Sequence, residues 1–369
     1  MNNRLLYLDR LRVFLTFLLL FHHTAIAYGA SGSWIYIDAE QGTTLTNILL
    51  SLFTAINQAF FMGLFFFLSG YFVPRSYERK GNVKFLKDRF IRLGIPLLFY
   101  LFIIGPLIEY FLYVEKSMSL GEFYSKEILT FHQFFIGPLW FVEALLIFNL
   151  IYALYKKLVR KEWKPQPFPT NRKLVITAFS LGAVAFFVRL IYPVGNGILG
   201  LQFGYFPSYI LLFYVGIVSY RNNWLKNITA DTEKIWKWIT FIAIPIFPIG
   251  LILTGALNGT LMVNGGWNIQ AILYALWEPF VCIGMCILLI SLFKQKYNQM
   301  SLFFKWLADN SFTVYILHPP IIVGGSLLLH TLDILPFGKF VIVSILSLVL
   351  TFILAYLVRL IPGTRRVLG

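Results

Sequence analysis

The sequence predicts an all-α integral membrane protein of about ten transmembrane helices, in which residues 1–369 form a single bundle without a soluble domain. Hydrophobic residues make up 58% of the chain, charged residues make up 13%, and the mean hydropathy is +0.74. Soluble domains carry about 25% charged residues, so this composition is typical of a membrane protein. Apolar stretches long enough to cross a bilayer recur about ten times, and basic residues concentrate between them.

The apolar stretches define the predicted spans. They lie near residues 12–29, 46–73, 93–113, 134–155, 173–192, 204–220, 236–255, 268–292, 310–329 and 339–360. The stretch 46–73 exceeds an ordinary span, so we expect it to tilt, kink or lie partly in the interface. The first stretch contains Ala25-Ile26-Ala27, which resembles a signal-peptide cleavage site, but Asp9 and two histidines favour an uncleaved span. The connecting segments reach about 20 residues, too short for a core of their own.

The distribution of charge predicts the orientation. The net charge is +15, and 27 of the 31 Lys and Arg residues fall in six segments: 1–12, 74–92, 156–173, 221–237, 293–309 and 359–369. With these segments inside, the positive-inside rule places both termini in the cytoplasm. The loop 109–133 then lies outside and leans acidic, with Glu109, Glu115, Glu122 and Glu127; the four remaining basic residues, Lys116, Lys126, Arg189 and Lys339, also fall outside. Basic residues spread over six loops favour a lipid bilayer as partner and exclude a nucleic-acid stripe.

Arg12 and His23 are the most informative pair in the chain. Eleven helical steps rotate the chain by about 1100°, three turns plus roughly 20°, so both side chains lie on one helix face. The same steps give about 16 Å of rise, which places Arg12 near one membrane surface and His23 near mid-bilayer. An imidazole at that depth is costly, and it indicates either a functional site or a hydrogen bond between packed helices.

Two further motifs carry charge at span ends. Arg89 and Arg92 are three residues apart in the basic entry to the third span, where their guanidinium groups suit phosphate oxygens. Ordinary membrane anchoring and contact with anionic lipid remain alternatives for this pair. Trp140 and Glu143 stand at the outer end of the fourth span: the indole suits the interface, whereas a carboxylate one turn deeper needs a partner.

The ninth span carries a polar stripe. Ser311, Tyr315 and His318 follow an i, i+4, i+7 pattern and share one helix face. Pro319 and Pro320 follow at once, and we expect them to break the helix mid-span and to free backbone carbonyls there. Glu278, which precedes Pro279 in the eighth span, is another membrane carboxylate, with no role evident from the sequence.

Taken in order, these residues resemble the membrane acyltransferase 3 family, which includes O-antigen and exopolysaccharide acetyltransferases and the periplasmic-glucan succinyltransferase. The resemblance covers nearly the whole chain. It rests on the motif from Leu8 to Arg12 followed by His23, on Phe66-Phe67-Leu68-Ser69-Gly70-Tyr71, on Arg89 and Arg92, on Leu139-Trp140-Phe141, and on Ser311 to Pro320. Residues 200–218 are most similar to the glucan-modifying branch.

The resemblance implies an enzyme of the bacterial cytoplasmic membrane that transfers an acyl group from cytoplasmic acyl-CoA to a hydroxyl of an extracytoplasmic acceptor, expected to be a carbohydrate. His23 would be catalytic, Arg12 would hold or orient the donor, and Arg89 and Arg92 would bind the phosphates of coenzyme A. His23 would act as a general base or form an acyl-histidine; the sequence leaves both open.

Helix spacing adds supporting residues. Asp9, three residues before Arg12, would fix the Arg12 rotamer. His22 points about 100° away from His23 and is either a substitute reactive group or a support of the fold. We expect an internal, partly polar tunnel, and we expect Trp140, Glu143, Ser311, Tyr315 and His318 to line it.

No permanently bound cofactor and no metal site is expected. Cys282 and Cys286 lie one turn apart in an apolar run and are predicted to be packing residues.

The main alternative function is a transporter or flippase for a glycan or a lipid-linked substrate, which ten spans and two membrane carboxylates also suit. Against it, the sequence has no evident internal repeat and few membrane carboxylates. A catalytically silent scaffold or sensor is the third possibility.

Overall fold

The computed structural model describes residues 5–113, 118–131, 134–159, 163–259, 261–299 and 301–368. Within these residues the chain is a bundle of α-helices with one hairpin of two short strands. The helices are α1 (Leu6–Ala27), α2 (Leu45–Arg89), α3 (Ile95–Phe99), α4 (Gly105–Tyr113), α5 (Leu120–Phe123), α6 (Trp140–Leu158), α7 (Asn171–Ile191), α8 (Phe206–Arg221), α9 (Ala230–Leu253), α10 (Ile269–Lys296), α11 (Leu302–Leu329), α12 (Pro336–Leu360) and α13 (Thr364–Leu368). The strands β1 (Gly197–Ile198) and β2 (Leu201–Gln202) pair antiparallel between α7 and α8.

The prediction of an all-α membrane protein is confirmed. In the described part of the chain, nine helical runs are long and apolar enough to cross a membrane. The predicted stretches 46–73 and 93–113 both fall in one of these runs, Leu45–Tyr113. The described residues therefore show nine helical runs where the sequence predicted ten apolar stretches. Gly81 divides this run with φ 69° and ψ 171°, a left-handed value that favours glycine. The chain therefore reverses near Gly81 and crosses the bundle a second time.

Prolines shape the returning segment 90–113. Wide π-helical turns occupy Phe90–Gly94 and Tyr100–Ile104, and each lies just before a proline, Pro96 or Pro106. Proline has no N–H for the carbonyl four residues earlier, so that carbonyl needs another partner. For Pro106 this carbonyl belongs to Phe102, and the Tyr124 hydroxyl donates a hydrogen bond to it over 3.1 Å. The irregular helix is thus tied to the loop that follows it.

The bundle has two distinct ends. We call the end that holds the start of α1, the Gly81 turn and α13 the basic end, because Arg89, Arg92 and the arginines of α13 lie there. The C-terminal helix α13 packs against the π-helical turn Phe90–Gly94. At the opposite end, the segment 28–44 between α1 and α2 reaches the α11–α12 connection. In the loop 109–133, Glu115 and Lys116 lie outside the described residues.

The tightest helix contact joins α2 and α8. A Cβ atom on Gly70 would collide with the Phe213 carbonyl, and one on Gly216 would collide with the Phe67 carbonyl. Glycine at both positions lets the two backbones touch, as at small-residue interfaces of membrane helices. Cys282 and Cys286 lie buried in α10 without a disulfide, as expected for packing residues.

Candidate active site

Helix α1 carries four of the residues that the sequence singled out: Asp9, Arg12, His22 and His23. The Arg12 Nη1 lies 3.3 Å from Asp9 Oδ1, one turn earlier on the same helix. Its guanidinium carbon lies 5.7 Å from the centre of the Phe72 ring on α2. Arg12 therefore stands at the basic end, with a carboxylate beside it as the spacing suggested.

His23 lies about 16 Å further along α1 and sits in a stack of three rings. Its imidazole centroid is 4.0 Å from the Trp34 ring at an interplanar angle of 20°, and 5.3 Å from the His318 ring at 17°. Trp34 belongs to the segment between α1 and α2, and His318 belongs to α11. The stack therefore joins three parts of the chain around one imidazole.

His22 lies nearer to His23 than the sequence suggested. The two imidazoles are 5.4 Å apart at 85°, and the His22 ring packs 4.9 Å from Phe61. Both rings line the same cavity. The expectation that His22 points elsewhere is wrong, because a step of about 100° round the helix still leaves two adjacent long side chains at one concave surface.

The cavity beside His23 has a volume of about 50 Å³. Its lining residues come from α1, α2, α11 and the turn before α6: Leu19, His22, His23, Gln58, Phe61, Met62, Pro138, Trp140 and Tyr315. A buried water needs roughly 10–15 Å³ of such a cavity, so the space suits a few waters or a short acyl group. Larger groups need the surrounding side chains to move.

The α11 helix runs unbroken through Pro319 and Pro320, so the expected mid-span break is wrong. Pro319 has no N–H for the Tyr315 carbonyl four residues earlier, and His318 Nδ1 lies 2.6 Å from that oxygen. A carbonyl only accepts, so Nδ1 carries the proton and donates it. A neutral His318 then has its lone pair on Nε2. The side chain replaces the missing backbone donor, and the helix continues.

The remaining members of the predicted stripe lie in different surroundings. Tyr315 lines the cavity, and its hydroxyl donates a hydrogen bond to the Pro138 carbonyl. Ser311 is buried, and its hydroxyl donates to the Leu307 carbonyl of the same helix over 2.8 Å. His318 contacts His23 by stacking. The stripe thus contributes Tyr315 to the cavity wall and His318 to the ring stack.

Trp140 and Glu143 occupy successive turns at the start of α6. The Trp140 indole lines the cavity and stacks on Tyr209 with ring centroids 5.5 Å apart. The Tyr209 hydroxyl in turn accepts a hydrogen bond from Gln58 over 3.2 Å. Glu143 Oε2 is buried and has no hydrogen-bond partner among the described residues. Glu143 lies one turn nearer the basic end than Trp140.

Arg89 and Arg92 lie at the basic end, where α2 passes into the π-helical turn. Arg92 Nε is 3.4 Å from Asp88 Oδ1, and Asp88 Oδ2 also accepts from Lys80 over 2.6 Å. The Arg89 guanidinium lies 4.8 Å from the Phe85 ring. Lys80 and Arg92 both contact the Asp88 carboxylate, and Arg89 adds a third cationic group nearby, so this surface carries net positive charge.

Comparison with known families identifies the family of this chain. A family model described as an acyltransferase domain matches residues 5–356, nearly the whole chain. The chain belongs to the acyltransferase 3 family. Neither the curated proteins nor the solved structures contain a match. The prediction of a membrane acyltransferase is confirmed at the level of the family.

This acyltransferase also contains a buried ion pair that the sequence did not reveal. Arg189 of α7 pairs with Glu278 of α10, and both side chains are almost completely buried. Arg189 Nε donates to the Gly204 carbonyl over 3.0 Å, and the guanidinium lies 4.7 Å from the Tyr274 ring. The pairing gives Glu278 a structural partner. The residues are 89 positions apart, and no sequence pattern predicts their contact.

Proposed function

We propose that this acyltransferase moves an acyl group from cytoplasmic acyl-CoA to a hydroxyl of an extracytoplasmic glycan, with His23 as the catalytic residue. The single observation that carries this proposal is the position of His23. It faces the small cavity inside the bundle and, through Trp34, the segment at the end opposite the basic residues. A group at this depth is within reach of a donor from one side and an acceptor from the other.

The basic end supports a phosphate-rich donor. Arg12, Arg89 and Arg92 stand at that end, and guanidinium groups bind phosphate oxygens through two parallel hydrogen bonds. The positive-inside rule assigns this end to the cytoplasm, where acyl-CoA is made. We therefore infer that the nucleotide part of coenzyme A stays near Arg89 and Arg92 while the thioester reaches inward past Arg12.

The chemistry requires one base and no net change in protons. An imidazole nitrogen of His23 accepts the proton of the acceptor hydroxyl while the hydroxyl oxygen attacks the thioester carbonyl. The carbon–sulfur bond breaks, and the same proton passes to the departing thiolate. The products are an ester and free coenzyme A. A covalent route, in which His23 first takes the acyl group and then passes it to the acceptor, gives the same balance.

His318 fits a supporting role in either route. Its Nδ1 is committed to the Tyr315 carbonyl, so Nε2 is the acceptor nitrogen in the neutral ring. The ring lies parallel to His23, and Nε2 is buried without a hydrogen-bond partner among the described residues. We infer that His318 helps to position His23 and to accept a proton near it.

The donor site makes a direct prediction. Replacing both Arg89 and Arg92 with Ala should weaken binding of acetyl-CoA to the purified full-length protein by tenfold or more. Each charge-assisted hydrogen bond to phosphate contributes about 1.5–3 kcal/mol, and about 1.4 kcal/mol is tenfold in affinity. Isothermal titration calorimetry in detergent would measure the change.

A matched control exists on the same helix. Lys84 and Lys87 are exposed, and replacing both with Ala removes the same charge without touching the arginine pair. An equal loss of affinity in the lysine variant would show that the total positive charge of this surface, and not the arginine pair in particular, attracts acyl-CoA. Unchanged affinity in the arginine variant would return Arg89 and Arg92 to membrane anchoring. A wild-type protein that binds no acyl-CoA would favour a transporter or flippase.

The orientation can be tested separately. On a background with Cys282 and Cys286 replaced by Ala, we expect a membrane-impermeant maleimide to label Ser119→Cys in intact cells. Val83→Cys and Gln166→Cys should react only after the membrane is opened. All three positions are exposed in the structure, so labelling reports the side of the membrane. The reverse pattern would place the arginine pair on the side without acyl-CoA.

A further inference from the structure

Trp34 covers the imidazole on which the proposed function depends. Its ring stacks on His23 with centroids 4.0 Å apart, and it lies 5.8 Å from His318 at an angle of 21°. Trp34 belongs to the segment 28–44, at the end of the bundle opposite the basic residues. One face of the His23 ring is therefore covered by an indole.

Unpartnered polar atoms surround this stack. Trp34 Nε1, His23 Nδ1 and His318 Nε2 are each buried, and none has a hydrogen-bond partner among the described residues. Buried donors and acceptors without partners are costly, and native proteins satisfy nearly all of them. Three such atoms in one cluster of rings mark a place that suits a polar group. A hydroxyl, which both donates and accepts, suits this set.

The segment that carries Trp34 is held by contacts on both sides of it. Asp38, whose side chain is 2% exposed, lies 2.7 Å from His330 Nδ1 and 3.2 Å from Lys339 Nζ. Asn47 donates to the carbonyls of Gly29 and Glu40. These contacts join both ends of the segment 28–44 to α2, to the α11–α12 connection and to α12.

The part between these anchors is more open. Residues 31–33 and Ile37 are exposed, and Gly32 has a φ of 149° that favours glycine. Trp34, Ile35 and Tyr36 are partly exposed, and exposed hydrogen bonds hold this stretch: Ser31 N–H to Ser51, Gln41 to the Gly32 carbonyl, and Tyr113 to the Ile35 carbonyl. Breaking these surface contacts would let the indole move away from His23 without unfolding the helices, as active-site loops commonly do.

We propose that Trp34 keeps water from His23 until the acceptor displaces it, and so directs the acyl group to the acceptor hydroxyl instead of water. This inference rests on the proposed function and adds a positioning residue to it. Water is the competing acceptor in acyl transfer: its oxygen attacks the thioester carbonyl, the carbon–sulfur bond breaks, and the thiolate takes the proton. Closing a site against water suppresses this side reaction.

The first test needs no catalysis. Diethyl pyrocarbonate modifies accessible neutral imidazoles, and peptide mass spectrometry of the full-length protein reports each histidine separately. We expect His23 in the Trp34→Ala variant to be modified several-fold faster, relative to exposed His330, than in wild type. Trp267→Ala removes an exposed indole elsewhere on the same end and should leave this ratio unchanged. Equal modification of His23 in wild type and Trp34→Ala would overturn the proposal.

Two further variants distinguish a specific effect of the indole from a general loss of folding. Trp34→Phe keeps an aromatic ring over the imidazole and should protect His23 nearly as well as wild type. Asp38→Asn leaves Trp34 intact but removes the charge that holds His330 and Lys339, so the absolute rate of His23 modification should again rise. This rate is compared directly between proteins, because the variant also changes the surroundings of His330. Protection that persists in Asp38→Asn would show that the anchors do not control the cover, and would contradict this part of the proposal.

The second test measures the partition of the acyl group. With acetyl-CoA and no acceptor, Trp34→Ala should release free coenzyme A several-fold faster than wild type, as measured with a thiol reagent. A purely structural role would lower this rate instead of raising it. A lower or unchanged rate would therefore overturn the proposal. Wild-type protein that neither binds nor uses acetyl-CoA, but whose His23 is still exposed by Trp34→Ala, would refute the proposed function while leaving the cover in place.

Discussion

Cells that carry the His23→Ala variant should lose the acyl modification of their surface glycans. General acid–base assistance by one side chain contributes about 10²–10⁴-fold to rate, so the loss should be nearly complete. His23 is only partly buried beside an existing cavity, so the smaller side chain should leave the bundle folded. Mass spectrometry of cell-surface polysaccharides, at matched membrane abundance of each protein, would measure the missing acyl increment and identify the acyl group transferred.

His22→Ala is the matched control for this experiment. It removes the neighbouring imidazole from the same cavity but leaves the ring stack of His23, His318 and Trp34 unchanged. We expect most of the activity to remain. Normal modification with His23→Ala and none with His22→Ala would move the reaction to His22. Normal modification with both variants would show that neither His22 nor His23 is the catalytic residue.

The second large effect concerns stability. Glu278→Gln should destabilise the protein by about 3–5 kcal/mol, because it leaves the buried Arg189 guanidinium without its counter-charge. The double variant Arg189→Met, Glu278→Leu removes both charges and should recover much of the loss. Thermal unfolding in detergent, followed by loss of the folded monomer in gel filtration, would compare the three proteins.

The outcome separates two roles for the ion pair. A single variant as stable as wild type would mean that water or lipid headgroups compensate Arg189. A double variant less stable than Glu278→Gln would mean that the pair itself, and not merely the absence of an unpaired charge, supports the α7–α10 contact. Either result would contradict the expected balance between a costly isolated charge and a nearly neutral pair.

Much of the architecture followed from local patterns in the sequence. Span lengths and composition predict the all-α membrane bundle, because a bilayer demands about 20 apolar residues with every backbone group paired. The i, i+3 contact of Asp9 with Arg12 and the placement of His318 and Tyr315 on one face also follow from helix geometry alone.

Contacts between distant segments were beyond such reasoning. Trp34 lies in a connecting segment with no periodicity, so nothing local indicates that its ring reaches His23. The pairing of Arg189 with Glu278 depends on how α7 meets α10. Tertiary packing decided both of these contacts. The proline rule failed at Pro319 for a different, local reason: the side chain of His318, in the same helix, supplied the donor that the backbone lacked.

The glycine contact between α2 and α8 has a consequence for which acyl groups the enzyme accepts. Two backbones that touch at Gly70 and Gly216 have no side-chain layer to compress, so these helices move together or not at all. The turn before α6 is likewise tied to α11 by the Tyr315 hydroxyl. Under the proposed function, we therefore expect the side-chain volumes of cavity residues such as Leu19 and Met62, and not helix movement, to limit the length of the acyl group.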